Sequence, residues 1–142
     1  MKQQYAGYYD FLKDEIRKFK GDFDDYIFYI PDFFNLLCNL LDDDRLDKLD
    51  RLKISGALAY FVVPNDVIPE EIYGPAGYID DIFLCCYVLN DLEKKYGKNF
   101  LVEYWRGDED IIEVLDYSFK KSSKIIKEKG LKDEILKYVG LE

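Results

Sequence analysis

The stretch PNDVIPEEIYGPAGYIDD, from Pro64 to Asp81, constrains the fold of this chain more than any other. It contains three of the four prolines in the chain, together with two glycines. Proline ends a helix and restricts the residue before it, whereas glycine adopts backbone angles that other residues reach only at a cost. Apolar runs at 54–63 and 79–89 flank this stretch. The sequence therefore predicts two buried helices that are joined into a hairpin by a rigid loop with acidic side chains.

The length and the composition of the chain suit a folded helical domain. Its 142 residues are enough to bury about two thirds of the surface of the unfolded chain. Hydrophobic residues make up 49% of the sequence, which argues against disorder. We find no β alternation, no internal repeat and no long linker. The sequence therefore predicts one all-α domain over residues 1–142, a bundle of six or seven helices around a central apolar hairpin at about 50–92.

The spacing of apolar residues predicts the members of this bundle. In chain order, the first five predicted helices cover 2–20, 31–41, about 45–63, 79–96 and 98–106. Gly107 and Asp108 introduce a long sixth helix that ends near Lys129, and the seventh covers 131–139. We interpret Gly21, Gly97, Gly130 and Gly140 as the stops of the helices that precede them, because glycine closes helices at little cost. The apolar stripe of the first helix predicts that this helix packs on the hairpin, because an exposed stripe would favour aggregation.

The formal net charge of −9 limits the expected partners. Negative charge repels phosphate backbones and anionic lipid surfaces, so we expect no nucleic-acid binding and disfavour membrane association. No apolar run approaches the roughly 20 residues that span a bilayer, and the N-terminal stretch lacks the apolar core of a signal peptide. The three cysteines make no disulfide framework. Together these features predict a soluble protein of the cytoplasm.

The residue types exclude several kinds of active site. The chain has no histidine, which excludes Ser-His-Asp and Cys-His catalysis and histidine-bound zinc. It also has no glycine-rich phosphate-binding motif. Cys38, Cys85 and Cys86 lack the spacing of metal ligands, and we predict that they pack in the core rather than act in redox chemistry. We therefore predict no catalytic residue and no cofactor.

The acidic side chains of the central loop allow two interpretations. Asp66, Glu70, Asp80 and Asp81 can converge on a divalent cation such as Mg²⁺, Mn²⁺ or Ca²⁺, which prefer oxygen ligands. Alternatively, Asp80 and Asp81 lie at a helix start, where acids accept backbone amide hydrogen bonds and favour the positive end of the helix dipole. Asp66 can fold back onto turn amides in the same way. These four residues are the candidate metal ligands, and both interpretations stay open.

Two further groups of charges stand out in the sequence. A basic face on the long C-terminal helix contains Lys120, Lys121, Lys124 and Lys127, and we interpret it as solvated surface. Acidic clusters at 22–25 and 42–44 are typical of loops between helices, although such clusters can also mimic a nucleic-acid backbone.

The central segment AYFVVPNDVIPEEIYGPAGYIDDI resembles the signature of the YkvA-like family, a domain of unknown function numbered 1232. The matching positions are Pro64, Asp66, Ile68, Pro69, Glu70, Gly77, Tyr78, Ile79, Asp80 and Asp81. The sequence departs from the signature where a second Ile-Pro is usual, because Ile72 is followed by Tyr73 and Pro75 is displaced. The resemblance covers about residues 50–92 and implies a helical hairpin, but it implies no reaction.

The sequence favours a small accessory or regulatory protein that acts through an unidentified protein partner. One alternative is a protein or enzyme that binds a divalent metal through the loop carboxylates. Another is a peripheral membrane protein whose apolar hairpin contacts lipid.

Overall fold

The structure, a computed structural model, describes residues 10, 29–62, 79–128, 130, 132, 133 and 136, and at 61 and 62 it describes the backbone alone. Five helices lie in these ranges: α1 (Ile30–Leu41), α2 (Lys48–Val62), α3 (Ile79–Tyr96), α4 (Lys98–Tyr104) and α5 (Ile111–Glu128). The described residues contain no strand, and the all-α prediction is confirmed.

The predicted count of six or seven helices does not match the five that the structure describes. Two of the predicted helices, 2–20 and 131–139, lie largely outside the described residues. The other five predictions each correspond to one helix. The loop 63–78 also lies outside the described residues, and with it the candidate ligands Asp66 and Glu70.

The start of α2 corrects the predicted boundary. The sequence placed this start near Arg45, but the helix begins at Lys48. The reason is that Asp47 caps it, since its Oδ1 accepts a hydrogen bond from the amide of Asp50 at 2.8 Å. The amide of Arg45 instead bonds to Oδ1 of Asp43 at 2.7 Å, which holds residues 43–45 in a turn outside the helix.

The boundaries of α3, α4 and α5 also have local causes. Gly97 follows α3 as predicted, with a φ of 90° that favours glycine, and its amide donates to the carbonyl of Glu93 at 2.8 Å. The helix α4 ends at Tyr104, two residues earlier than predicted. Asp110 caps α5, because its Oδ1 accepts from the amide of Ile112 at 2.8 Å. The long helix therefore starts after Asp110 and not directly after Gly107 and Asp108.

The helix α3 lies at the centre of the bundle and packs against each of the other four helices. Its residues 79–86 are all buried, and most of them are apolar. A helix that is apolar on every side needs neighbours on every side, which is why the other helices surround this segment. The prediction that Ile82–Leu89 is covered by other helices is confirmed apart from the half-buried Tyr87.

The helix α2 differs from the prediction for the hairpin. We expected its apolar half to face water on no side, but only one face, which includes Ile54, Ala57 and Leu58, is buried. Ser55 and Ala59 are exposed. The cause is position, because among the described helices α2 packs mainly on α1 and α3, at the side of the bundle.

Candidate functional site

Two aspartates are buried at the loop end of the hairpin. Asp80 and Asp81 belong to the first turn of α3, as the sequence predicted, and they are 0% and 1% exposed. An ionised carboxylate in an apolar interior costs free energy unless hydrogen bonds or opposite charges compensate it. Because these two residues adjoin the loop 63–78, we call them the buried acidic pair and treat them as the candidate site.

Asp80 joins the two helices of the hairpin. The hydroxyl of Tyr60, near the end of α2, donates a hydrogen bond to Oδ2 of Asp80 at 2.5 Å. Tyr60 is itself 1% exposed, so water does not compete for this bond. The other oxygen of Asp80 accepts from the amide of Asp81 at 3.0 Å. The contact therefore ties the end of α2 to the beginning of α3.

Sequence reasoning missed Tyr60. The signal was a tyrosine hydroxyl inside the apolar run ISGALAYFVV, where a buried polar group needs a hydrogen-bond partner. Sequence spacing does not identify that partner, because Tyr60 and Asp80 lie on opposite sides of the loop.

The four candidate metal ligands are only partly located. Asp80 and Asp81 are adjacent and buried, whereas Asp66 and Glu70 lie outside the described residues. Within the described ranges, no three side chains of histidine, cysteine, aspartate or glutamate lie close enough together to hold a metal ion. Both interpretations stay predictions: Asp80 accepts the amide of the next residue, and the metal interpretation needs oxygen ligands from the loop.

The three cysteines are buried thiols, in agreement with the predicted core role. Burial, with a smaller effect of the nearby Asp42 carboxylate, raises the pKa of Cys38 to about 12. Burial also raises the pKa values of Cys85 and Cys86 well above the usual range. A thiol with a raised pKa is a poor nucleophile, so these residues are suited to packing.

A second group of charged and tyrosine side chains, centred on the buried Asp43 and Asp50, joins the loop between α1 and α2 to α3 and α4, and sequence reasoning did not find it. We call this group the loop network; its members are Asp43, Arg45, Asp47, Asp50, Lys95, Tyr96, Glu103 and Tyr104. Apart from the pair of Asp43 and Arg45, its hydrogen-bonded side-chain pairs lie 45 to 61 residues apart in the chain, so no local spacing indicates the network as a whole.

Asp43 is the centre of one half of the loop network. Nη2 of Arg45 donates to Oδ2 of Asp43 at 2.7 Å, and the hydroxyl of Tyr104 donates to the same oxygen at 2.6 Å. Arg45 also pairs with Glu103 on α4. The hydrogen bonds from Arg45, followed by the bond from Tyr104, hold the pKa of Asp43 well below its usual range. Asp43 is therefore ionised at neutral pH despite its burial.

Asp50 is the centre of the other half. Its Oδ2 accepts hydrogen bonds from Nζ of Lys95 at 2.8 Å and from the hydroxyl of Tyr96 at 2.7 Å. Lys95 also pairs with Asp47, and this hydrogen bond, with a backbone bond from Asp50, lowers the pKa of Asp47 to about 2. These contacts attach the first turn of α2 to the last turn of α3.

The helix α2 also carries an exposed apolar surface. Leu49 and Leu52 are each 61% exposed, although most of the large apolar side chains that the structure describes are buried. Gly56 and Ala59 continue the same side of the helix at three- and four-residue intervals. We call these four residues the α2 apolar face.

The outer side of α5 carries charges of both signs, with the acids in its first half and the lysines in its second. Glu113, Asp116, Lys120, Lys121 and Lys124 are all exposed. The predicted basic face is therefore located on solvated surface, next to an acidic half that the sequence reading did not single out.

Among the described residues, no helix combines the length and the apolar character that a membrane crossing requires.

Comparison with known proteins gives a family and two relatives. The family described as "Protein of unknown function (DUF1232)" matches residues 50–87. The "Uncharacterized protein ORF9" of Methanothermobacter thermautotrophicus is 36% identical over 132 residues, which are 92% of this chain and 88% of that protein. The "E3 ubiquitin-protein ligase RNF170" of Xenopus laevis is 45% identical over 38 residues, 27% of this chain and 15% of that protein. No solved structure matches the chain significantly.

The matched family segment contains Tyr60, Asp80 and Asp81, and it ends in the middle of α3. Most of the loop network lies outside this segment. The resemblance noted from the sequence is confirmed, and the family contributes no reaction that these residues would perform.

Proposed function

The chain belongs to the DUF1232 family of proteins of unknown function, and we propose that it is a small accessory or regulatory protein that acts by binding another protein. The α2 apolar face carries this proposal. In this proposal, the face binds an amphipathic helix of a partner protein, and both proteins are located in the cytoplasm.

The shape of the α2 apolar face supports a helical occupant. Leu49 and Leu52 lie one turn apart and project into solvent, where apolar side chains are at a disadvantage. Gly56 and Ala59, at the other end of the face, have too little side chain to keep a second helix away. A partner helix can therefore pack its apolar stripe against the leucines and cross closely at the small residues.

The position of this face within the chain also supports the proposal. Leu52, Gly56 and Ala59 belong to the segment that the family shares. The buried contact between Tyr60 and Asp80 fixes the end of α2 on α3, so the face sits on a rigid support. The similarity to RNF170 covers only 15% of the length of RNF170, as expected for a short segment that occurs within larger proteins.

Site-specific cross-linking in the cells of origin tests this proposal. A photoreactive residue replaces Leu52 in one variant and Val102 in a control variant, because Val102 is similarly exposed, at 51%, on α4. We expect one protein to be captured from position 52 but not from position 102. A third variant, with the photoreactive residue in place of Leu49, should capture the same protein. The purified partner should then bind the wild-type protein and lose affinity for the double variant Leu49→Glu, Leu52→Glu, whose melting temperature should be unchanged.

Two results would contradict the proposal. One is the capture of the same proteins from positions 52 and 102, which would indicate contact without specificity. The other is a cross-link from position 52 to residues 2–20 of the same chain, which would show that the protein covers this face itself.

A divalent-cation site is the second candidate, and the burial of Asp80 and Asp81 next to the loop favours it. Two adjacent carboxylates repel each other when both are ionised, and a cation relieves that repulsion. Asp66 and Glu70 would supply the additional oxygen ligands. Equilibrium dialysis with Mn²⁺ tests this candidate. A divalent-cation site predicts one bound ion per chain for the wild type. The ion should be lost in Asp81→Asn and retained in the surface control Asp116→Asn. Equal binding by both variants would contradict it.

A further inference from the structure

The outer side of α5 is complementary in charge to itself. Its exposed residues run from Glu113 and Asp116, through Tyr117, to Lys120, Lys121, Lys124 and Lys127. They recur at three- and four-residue intervals, so they form one face of the helix. We call this the α5 charged face.

The helix dipole explains only part of this arrangement. It favours acids in the first turn and cations in the last turn, and its effect falls off within one turn. Asp116, Lys120 and Lys121 lie in the middle of an 18-residue helix, beyond that range. The grouped lysines also stand at three- and four-residue spacings, where like charges destabilise a helix.

The charges of the α5 charged face are not neutralised within the described part of the chain. None of the ion pairs among the described residues involves Glu113, Asp116 or any of the four lysines. Within this face, Nζ of Lys121 lies over the ring of Tyr117, at 5.7 Å from the centroid. In the loop network, by contrast, Asp43, Asp47 and Asp50 each have a cationic partner.

We propose that the α5 charged face binds the same face of a second copy of this chain, in antiparallel orientation. A twofold axis near residues 118 and 119 places Glu113 opposite Lys124 of the second copy and Asp116 opposite Lys120 of the second copy. The same axis places Tyr117 next to Lys121 of the second copy, where an ammonium group can lie against the ring. Each contact occurs twice, because a twofold interface repeats every pair.

The local surface agrees with this pairing. Tyr117 is 43% exposed and lies near the axis, where it supplies the main apolar contact. Glu113 and Tyr117 also line a shallow groove together with Tyr29, Glu109 and Val114, and this groove can receive a lysine side chain from the second copy. Because exposed ion pairs are individually weak and are screened by salt, the dimer should be weak and should dissociate at high ionic strength.

Charge-reversal variants of the full chain test this proposal. The first variant carries Glu113→Lys and Asp116→Lys, and the second carries Lys120→Glu and Lys124→Glu. Sedimentation equilibrium in low salt should show a reversible wild-type dimer, with each variant alone weakened by about tenfold or more because like charges then meet. An equimolar mixture of the two variants should form a heterodimer, since each reversed charge again faces its opposite.

Melting curves of both variants check that they remain folded. A wild-type protein that stays monomeric in low salt at submillimolar concentration would overturn the proposal. A wild-type dimer that both variants retain, or a mixture that does not associate, would overturn it as well. This test is independent of the partner proposed for α2, because the two faces lie on different helices.

Discussion

Asp80 and Asp43 are both buried aspartates, and the protein stabilises them in different ways. Asp80 lies between two helices of the hairpin and accepts hydrogen bonds from the hydroxyl of Tyr60 and a backbone amide. Asp43 lies on a loop and accepts hydrogen bonds from the hydroxyl of Tyr104 and from Arg45, whose side chain is half exposed. Within the described part of the chain, each carboxylate thus has a tyrosine donor, and the two differ in their other donors and in access to water.

This difference assigns different roles to the two regions. A hydrogen bond in an apolar interior is not screened by salt, and losing it leaves a buried polar group without a replacement. An ion pair that reaches solvent is screened, and water can replace a lost partner. The contact of Asp80 therefore fixes the hairpin that the family shares, whereas the loop network attaches this hairpin to the surrounding helices.

The largest effect is expected in the apolar interior that surrounds Asp80. Leu84→Ala should lower the free energy of unfolding by about 2–5 kcal/mol, because it leaves a cavity in the fully buried stretch 79–86 of α3. Leu49→Ala, at an exposed position, should change it by less than about 0.5 kcal/mol. Urea denaturation measures both. Equal costs would contradict the description of α3 as the centre of the core.

The two tyrosine donors provide a matched pair of variants. Tyr60→Phe should cost about 1–3 kcal/mol, because the buried carboxylate of Asp80 loses its hydroxyl donor. Tyr104→Phe should cost no more than about 1 kcal/mol, because Asp43 keeps its bonds to Arg45. Both values come from urea denaturation at neutral pH. A larger loss for Tyr104→Phe would reverse the comparison.

The pH dependence of stability should report on the loop network. Arg45 and Lys95 hold the pKa values of Asp43 and Asp47 below those of the unfolded chain, which lie near 4. The stability that these two acids contribute is therefore complete above about pH 4 and is lost as the pH falls towards 2. Denaturation series should show a smaller loss over this interval for Asp43→Asn than for the wild type. Parallel curves would contradict the role of Asp43.

The smallest effect is expected at Lys95, because its ion pairs are half exposed. Lys95→Gln should lower the melting temperature slightly in low salt, since Asp50 keeps its bond to Tyr96. In about 1 M NaCl, the variant and the wild type should melt together, because salt already screens the pair. A difference that persists at high salt would show that Lys95 acts through packing.

Much of the fold follows from local sequence signals. Pro31 opens α1 within its first turn, Gly97 closes α3, and Gly130, with a φ of 68°, follows α5. Each signal fixes the backbone of one or two residues, which is why the positions of these helices were predictable. The start of α2 was not predictable from periodicity, because the turn at Asp43 and the cap at Asp47 decide it.

The candidate site was predictable in position but not in environment. The sequence placed Asp80 and Asp81 in a first helical turn, where acids are usually exposed caps. Their burial follows from the surrounding helices, and the bond to Tyr60 depends on how the hairpin closes. The exposure of Leu49 and Leu52 was missed for a similar reason, because the leucine spacing does not show which side of α2 lacks a neighbour.

A double-mutant cycle on Tyr60 and Asp80 tests most directly whether their contact fixes the hairpin. Urea denaturation of the wild type, Tyr60→Phe, Asp80→Ala and the double variant yields the coupling energy between the two side chains. We expect about 1 kcal/mol or more, as for a hydrogen bond between two buried side chains. The matched cycle on Tyr104 and Asp43 should give a smaller value. A coupling energy near zero for Tyr60 and Asp80, or one below that of Tyr104 and Asp43, would contradict the account.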